Sequence, residues 1–506
     1  MVKATWLDRA IGFFAPGAAA RRARERAAFE ALTRGYDGAQ KGRKTLSWRA
    51  GPTSADAEIA HAGPLLRDRM RDLVRNNPHA AKAVSELVSH IVGDGIVPRA
   101  RTGNAKLDER VNRLFERWAK ECDADGHLDF FGLQTLVVRE MIESGDGLIR
   151  RRRRRAEDGL TVPLQLQVIE TDLIDGSKNG PTNGGGVIIQ GIEHDAIGKR
   201  TAYWMFPTHP GNAVFDPKGA SESRPVPASE ILHLYEKQRT QVRGVPWGSP
   251  VIMSLQNLGS YEEAELVRKR LEACMVGVLI PGDDDGEVGI PTQQDNGPGL
   301  YDQDGFAVEK FEPGMFVVAH GGKDIKFSQP AITSNYDTYK RSMLHTIAAG
   351  FRVPYAILSG DLSQVNYSSS KIGLEGFRRL ISAVQWQMVI PMICEPVWRW
   401  FIEAAYLAGH IDTTDIPVEW TPPRFYSADP ARDVAATIAE VRAGFKSPQE
   451  AISERGWNPD DVLREIAEFN QKLDALGIVL DSDPRRITQA GQFQSKPLDQ
   501  EGQEDG

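Results

Sequence analysis

The stretch Val251-Ile252-Met253-Ser254-Leu255-Gln256-Asn257-Leu258-Gly259-Ser260-Tyr261-Glu262-Glu263-Ala264-Glu265-Leu266-Val267-Arg268-Lys269-Arg270-Leu271 is where the chain changes character. Leu255, Leu258, Leu266, Leu271 and Met275 fit one long helix, densely charged over 262–270, which runs into Gly277 and Pro281. Residues 281–305, rich in Gly, Asp, Asn and Pro, read as a loop or tip. Short β segments follow at 315–319 and 325–327, then a second helix carrying Tyr336, Tyr339, Met343, Ile347 and Phe351. Val353-Pro354 ends it, because proline restricts its predecessor and cannot continue the ladder. Two helices joined through a small β module predict a protruding, hairpin-like unit.

On the N-terminal side the pattern predicts an α+β region. Residues 1–55, Ala/Arg-rich and then Gly/Lys-rich, read as an arm that docks on a neighbouring subunit; Trp6, Ile11, Phe13 and Phe14 leave an amphipathic anchor as the alternative. Leu66, Met70, Leu73 and Val74 mark a helix broken at Asn76-Asn77-Pro78. Val84, Leu87, Val88 and Ile91 mark the next, closed by Gly93-Asp94-Gly95. A third carries Leu107, Val111, Leu114, Phe115 and Trp118, and a fourth covers 131–143 before Ser144-Gly145-Asp146-Gly147. Then Leu164, Leu166 and Val168 alternate with Gln165 and Gln167, the period of a strand with one buried face. Residues 187–195 and 201–206 predict a hairpin around Gly198, and 231–234 another strand.

On the C-terminal side, residues 359–370 are small and polar, and a helical pattern begins near Ser370 with Leu374, Phe377, Leu380, Ile381, Val384 and Met388. Pro391 and Pro396 predict a kink or break; unbroken to Ala408, that helix extends roughly 58 Å. Ser447-Pro448-Gln449-Glu450 has the form of a capping box with proline at the first helical position. Asn458-Pro459 opens a last helix whose core face reads as Val462, Ile466, Phe469, Leu473 and Leu476. The tail after about 491 has a disordered composition.

Length, 506 residues, predicts roughly three domains. The 41% hydrophobic and 26% charged content is that of a folded, water-soluble protein. Cys122, Cys274 and Cys394 lie far apart, which excludes a disulfide framework or cysteine-rich zinc site. A net charge of −8 argues against a generally basic DNA-binding surface, since phosphate affinity comes from counterion release by Lys and Arg. It leaves room for a protein that DNA slides past. Asp8 and Arg9 interrupt the N-terminal apolar run, which does not read as a secretory signal, and no apolar run reaches the roughly 20 residues that span a bilayer.

Catalytic constellations are missing. GxxxxGK[ST] is absent, and His320-Gly321-Gly322-Lys323 lacks the rest of that pattern. HExxH and GxSxG are absent too, so neither an enzyme nor a cofactor site is expected. His233 reads as a satisfied core residue, and Asp283-Asp284-Asp285 as a solvated loop rather than a metal site. The run Arg150–Arg155 puts arginines alternately on both faces of a strand. It reads as an edge strand pairing with acidic neighbours or an adjacent subunit, with phosphate contact as the alternative.

Several segments in order resemble the lambda-type family of phage portal proteins. They are Leu66-Arg67-Asp68-Arg69-Met70-Arg71-Asp72-Leu73-Val74-Arg75-Asn76-Asn77-Pro78 followed by Val92-Gly93-Asp94-Gly95; Asp125-Gly126 with Glu143-Ser144-Gly145-Asp146; Arg239-Thr240-Gln241-Val242-Arg243-Gly244-Val245-Pro246 with Tyr261-Glu262-Glu263-Ala264-Glu265; and Gly350-Phe351-Arg352-Val353-Pro354-Tyr355 with Asn366-Tyr367-Ser368-Ser369. The stretch before Gln241 is a residue shorter than the family's usual form, and the C-terminal third matches by layout alone.

The resemblance implies a multidomain α+β portal fold and a dodecameric ring at one capsid vertex, through which double-stranded DNA is packaged and ejected. Residues 56–250 correspond to the wing, 251–275 and 333–353 to stem helices, 276–332 to the clip, and 354–370 to the tunnel loop. A long wing helix with a return strand (371–425), a crown (426–490) and a tail (491–506) follow. Implied partners are the terminase packaging motor, head-completion and connector proteins, and the major capsid and scaffold proteins; no membrane is implied. The implied location is the virion, with the host cytoplasm during assembly. Gln364, Asn366, Tyr367 and the loop serines suit weak hydrogen bonding to passing phosphates, and Lys371 is the candidate charged contact. Capping of the next helix by Ser369 or Ser370 stays open and can coexist with that role. The rival readings are a protein-only head-assembly or baseplate adaptor and a nuclease with dispersed carboxylates.

Overall fold

Asn77 does not merely interrupt the first helical pattern; it caps the second helix. The computed structural model describes residues 51–212, 214–216, 222–273, 278–279, 299–301, 317–320, 335–363, 367–425, 430–457, 459–480, 483 and 485, with isolated positions before residue 51. The chain divides into two units, Met1–Ala57 and Glu58–Gly506. In the first, the backbone is helical at positions such as 17, 18, 20 and 21.

Helix α1 (Ala55–Asn76) buries Met70, Leu73 and Val74. The Asn77 side chain then accepts hydrogen bonds from His79 N (3.0 Å) and Ala80 N (3.2 Å), and Pro78 starts α2 (Pro78–Ile91). An asparagine cap followed by proline uses two residues that fit a helix start and disfavour its interior. Helix α3 (Ala105–Ala119) is capped by Asn104 and α4 (Phe130–Ser144) by Asp129. All four helices follow the sequence pattern within a residue or two, except that α1 begins well before the periodic run.

Strand β1 (Val97–Ala100) lies between α2 and α3 and later pairs with β13. Beyond α4 comes β2 (Asp146–Arg153), the middle of an antiparallel sheet with β3 (Leu164–Ile169) on one side and β9 (Ile231–Tyr235) on the other. Register places Leu148 opposite Ile169 and His233, and Arg150 opposite Gln167 and Ile231. Beyond Arg150 only β3 pairs with β2, so the arginine run leaves the sheet interior and becomes an edge, as expected for its second half. A five-stranded antiparallel sheet follows in sequence order: β4 (Gly180–Pro181), β5 (Val187–Ile189), β6 (Ile192–His194), β7 (Arg200–Met205) and β8 (Arg224–Pro227). The stretch 187–195 is therefore two strands. Gln190 (φ 48) and Gly191 (φ 79) turn the chain back between β5 and β6, and the hairpin at Gly198 joins β6 to β7.

Helices α5 (Ile252–Ala273) and α6 (Tyr336–Phe351) bracket short strands: β10 (Val278–Leu279), β11 (Gly299–Tyr301) and β12 (Val317–His320). β12 sits centrally, parallel to β10 and antiparallel to β11. The expected segment 325–327 lies outside the described residues. A short helix α7 (Tyr355–Ser359) precedes α8 (Tyr367–Val384). Pro391 and Pro396 do not break the helical path beyond α8. The backbone stays helical through Gln385–Cys394, in wide π-type turns, and α9 (Glu395–Leu407). Proline lacks an N–H and crowds the preceding turn. Widening the turn leaves room for the Pro391 ring without ending the helix.

The segment Gly373–Leu407 is long and apolar enough to cross a bilayer by composition alone. Much of its apolar face belongs to the core, although Trp386, Tyr406 and Leu407 are exposed. Ile381, Val389, Ile393, Val397 and Phe401 are fully buried with Trp118, Phe115 and Phe130, and Phe115 and Phe401 meet edge to face at 5.3 Å. Gln385 Nε2 donates to Ile91 O (2.8 Å), satisfying a carbonyl at the end of α2. A smaller core of Leu148, Ile169, Ile174, Ile192, Tyr203 and Met205 lies under the five-stranded sheet. Strand β13 (Val418–Thr421) leads to α10 (Pro430–Arg442), α11 (Pro448–Ser453) and α12 (Pro459–Leu476). Ser447 Oγ accepts from Glu450 N as expected. The supposed core face of α12 is a correction: only Leu473 is buried, while Ile466 is 50% and Phe469 53% exposed. Helical spacing reveals an apolar stripe but not what covers it, and among the described residues little does.

Candidate functional site

Three of the motifs that carried the family resemblance meet in and beside one buried polar knot. Asp146 opens β2 directly after Gly145, whose φ of 94 puts it where side chains are disfavoured. A Cβ there would lie 2.7 Å from the Val245 backbone, so glycine is required twice over. Asp146, 1% exposed, accepts from Arg243 Nε (2.7 Å), Gly244 N (2.6 Å) and Thr171 Oγ1 (3.0 Å), and pairs with His233 Nε2 (2.9 Å). Burial alone would raise its carboxyl pKa; Arg243, His233 and the Gly244 N–H outweigh that and hold it well below the usual carboxylate range. Burial, against the pull of Asp146 but with Arg200 and Arg243 adding to it, brings His233 down to about 4. His233 is a neutral, hydrogen-bonded core histidine.

Next to this knot, Arg67 Nε and Arg71 NH1 reach Asp172 at 3.1 and 2.7 Å, and Arg71 Nε donates to Ser144 Oγ at 3.0 Å. The α1 motif is thereby tied to the Ser144-Gly145-Asp146 turn. Glu170, Asp172 and His209 bring possible ligand atoms within 4.8 Å of one another. Two guanidinium groups already balance Asp172, so the trio is an ion-pair network rather than a set of free ligands. Gln241, 5% exposed, closes the loop whose length departs from the family form: its Oε1 accepts from Arg239 N and its Nε2 donates to Arg243 O, both at 3.0 Å.

From the knot the chain enters the helix pair. Trp247 N donates to Ile142 O (3.0 Å), and Ile252, Leu255 and Leu258 bury the root of α5. Leu344, Ile347 and Phe351 do the same for α6. A Cβ on Gly350 would overlap the Val251 side chain. Arg352, left-handed at φ 63, forks onto Glu236 at 2.7 and 2.9 Å and lies 4.9 Å over the Trp247 ring. Away from the roots, Tyr261 stacks on Tyr336 (6.0 Å) and Lys340 Nζ meets Glu262 at 2.7 Å. That hydrogen bond is the leading reason the Lys340 ammonium lies above its ordinary pKa. Leu266 and Val267 on α5 are about half exposed.

Gln364 and Asn366 lie outside the described residues. Tyr367 and Lys371 fall on the backbone of α8, which starts at Tyr367 rather than near Ser370; only their backbone positions are described. The segment that leads to them is anchored to α6. Tyr355 stacks on His345 with centroids 3.9 Å apart, and Asp361 Oδ2 lies 3.5 Å from Arg341 NH2 and 3.4 Å from Tyr355 Oη. Sequence reasoning missed the Glu236–Arg352 clamp and the Arg151–Glu403 pair (2.8 Å), which join residues far apart in the chain with no local pattern.

The family model described as phage portal protein, lambda family, matches residues 41–385, more than half of the chain. The chain belongs to the lambda family of phage portal proteins. That makes it a structural component of the phage particle, serving genome packaging and ejection. A probable portal protein of Halomonas phage phiHAP-1 is 27% identical over 470 residues, covering 88% of each chain. The portal protein of Escherichia phage N15 is 21% identical over 532 residues, covering 95% of this chain and 96% of its own. Among solved structures, the neck of an empty GTA particle computed with C6 symmetry gives a TM-score of 0.42 at 16% identity. It covers 82% of this chain and 97% of that one. The virion of a native gene transfer agent particle gives 0.40 at 15%, with the same coverages.

Proposed function

We propose that twelve copies of this chain close into a ring at one capsid vertex and that α5 and α6 of each copy wall the pore through which double-stranded DNA passes. In this reading residues 56–250 form the wing, 276–332 the clip, 354–370 the tunnel loop, 371–425 the long wing helix and return strand, and 426–490 the crown. The clip meets the terminase motor during packaging and head-completion proteins afterwards, while capsid and scaffold proteins surround the ring as it assembles in the host cytoplasm. The observation that carries the reading is the helix pair. Its roots are locked into the body by Arg352–Glu236, Trp247 and the Asp146 knot, while Leu266 and Val267 farther along α5 stay half exposed among the described residues. A rigid base with an uncovered apolar flank suits helices that pack against neighbouring copies.

Gln364, Asn366, Tyr367 and Lys371 are the proposed duplex contacts. Uncharged hydrogen-bonding groups hold phosphates weakly and interchangeably, which permits sliding. Replacing all four with alanine is expected to leave rings intact and to impair DNA packaging or retention. Normal packaging by that variant would remove the loop from the account.

A further inference from the structure

The arginine run of β2 is not one basic patch but two faces treated differently. On the odd face both guanidinium groups of the strand meet a carboxylate: Arg151 pairs with Glu403 and Arg153 with Glu230, each at 2.8 Å. On the even face the partners are amides. Arg152 Nε donates to Gln167 Oε1 and Arg154 Nε to Gln165 Oε1, both at 2.8 Å, and Arg150 faces Gln167 across the ladder. Among the described residues no ion pair to Arg150, Arg152 or Arg154 is found. Gln165 is itself fixed, its Nε2 donating to Glu121 O (3.0 Å) and Asp123 O (2.9 Å). The glutamines thus orient the guanidinium groups of Arg152 and Arg154 without neutralising them. Burial first, then repulsion from Arg150 and Arg154, lowers the Arg152 pKa, and no carboxylate compensates.

Three like charges held in a row cost free energy that an absent anion would recover. Alternate strand residues stand about 6.7 Å apart, so the row is evenly spaced, with Arg150 and Arg152 half-buried and Arg154, just past the end of β2, exposed. Evenly spaced anions of one kind are what a phosphodiester backbone presents, and guanidinium forks match phosphate oxygens in pairs. A carboxylate partner would have needed no glutamine clamp, as the other face of the same strand demonstrates. Resting on the proposed assignment of residues 56–250 to the wing, away from the channel helices, we infer that Arg150, Arg152 and Arg154 form a phosphate-binding strip for the backbone of duplex DNA lying against the outside of the ring. In a chain of net charge −8 such a strip positions DNA locally without general capture.

The test uses the full chain and closed circular plasmid DNA, which cannot thread a closed ring and so reports on outer surfaces alone. Filter binding between 50 and 200 mM salt is compared for the wild type, the triple variant Arg150→Gln/Arg152→Gln/Arg154→Gln, and the single variant Gln167→Glu. The single variant keeps every arginine and the Gln165 donations to Glu121 O and Asp123 O, and it places a carboxylate where the Gln167 amide oxygen accepts from Arg152. Three phosphate contacts predict that the slope of log K against log salt flattens by about 2.7 in the triple variant and by about 0.9 in Gln167→Glu, where one arginine is neutralised. The strip is refuted if wild type does not bind plasmid at 50 mM salt, or if both variants keep its slope. It is equally refuted if the triple variant loses self-association while plasmid binding is unchanged, for the row would then face a second copy. Packaging defects from tunnel-loop substitutions leave this slope untouched, so the two assignments fail separately.

Discussion

Replacing Asp146 with Asn removes one charge and almost no volume from the knot that joins three of the family's motifs. The loss falls on Arg243. Its side chain is 6% exposed, its Nε is 2.7 Å from the carboxylate, and its further partners Thr171 O and Oγ1 are uncharged. An unpaired buried guanidinium costs about 3–5 kcal/mol. The Asn amide also puts an NH2 donor in place of one oxygen, against either Gly244 N or Arg243, where Asp146 offered acceptors to both. Against a total stability of about 5–15 kcal/mol, the substitution removes a large share. Urea unfolding followed by circular dichroism is expected to show a midpoint lower by about 1 M or more with little change in slope. Converting Arg243→Met in the Asp146→Leu background should recover part of the loss, because a buried pair exchanged for apolar groups costs less than a broken one. A midpoint for Asp146→Asn within about 0.3 M of wild type refutes the claim that the knot anchors the helix pair.

Other perturbations have defined outcomes. His233 takes its proton near 4 when folded and near the ordinary 6.5 when unfolded. Its contribution is therefore complete above about pH 6.5 and lost as pH falls from 6.5 to 4, at about 1.4 kcal/mol per unit. Urea midpoints of His233→Gln should fall less steeply over that window than wild type, and parallel curves contradict the assignment. Ile466→Asp with Phe469→Asp on α12 should change single-chain stability by about 0.5 kcal/mol or less yet lower the assembled fraction in light scattering; a large loss of chain stability would mean that its own chain covers this face. Arg352→Ala should weaken hydrogen-exchange protection of the last turn of α6, and unchanged protection argues against the Glu236 clamp.

Local structure was legible wherever one residue type had one job. Ser447 before Pro448 announced a helix start because a short polar side chain reaches the free N–H groups of a first turn, whereas Asn77 before Pro78 read only as a break. Val84, Leu87, Val88 and Ile91 announced a buried face through spacing alone. The helix pair was readable from periodicity and the Val353-Pro354 stop; of the strands between them only β12 was expected, and β11 lies inside the stretch that read as a loop. What escaped depends on distant partners or on backbone choices between near-equal states. Residues 187–195 look like one strand, and only the Gln190–Gly191 turn, stabilised by packing around it, makes two. Pro391 looks like a stop, yet a π-widened turn absorbs it. The even and odd arginines of β2 are chemically identical in sequence; Glu403 and Glu230 on one face, and Gln165 and Gln167 on the other, set them apart. The proposed channel contacts were read from composition, and Gln364 and Asn366 lie outside the described residues.

The ring is the claim on which the functional account stands, and negative-stain electron microscopy of the purified full chain tests it most directly. The account predicts closed, symmetric particles with a hole on the axis. Single-chain particles under every assembly condition, with no opening, would contradict it.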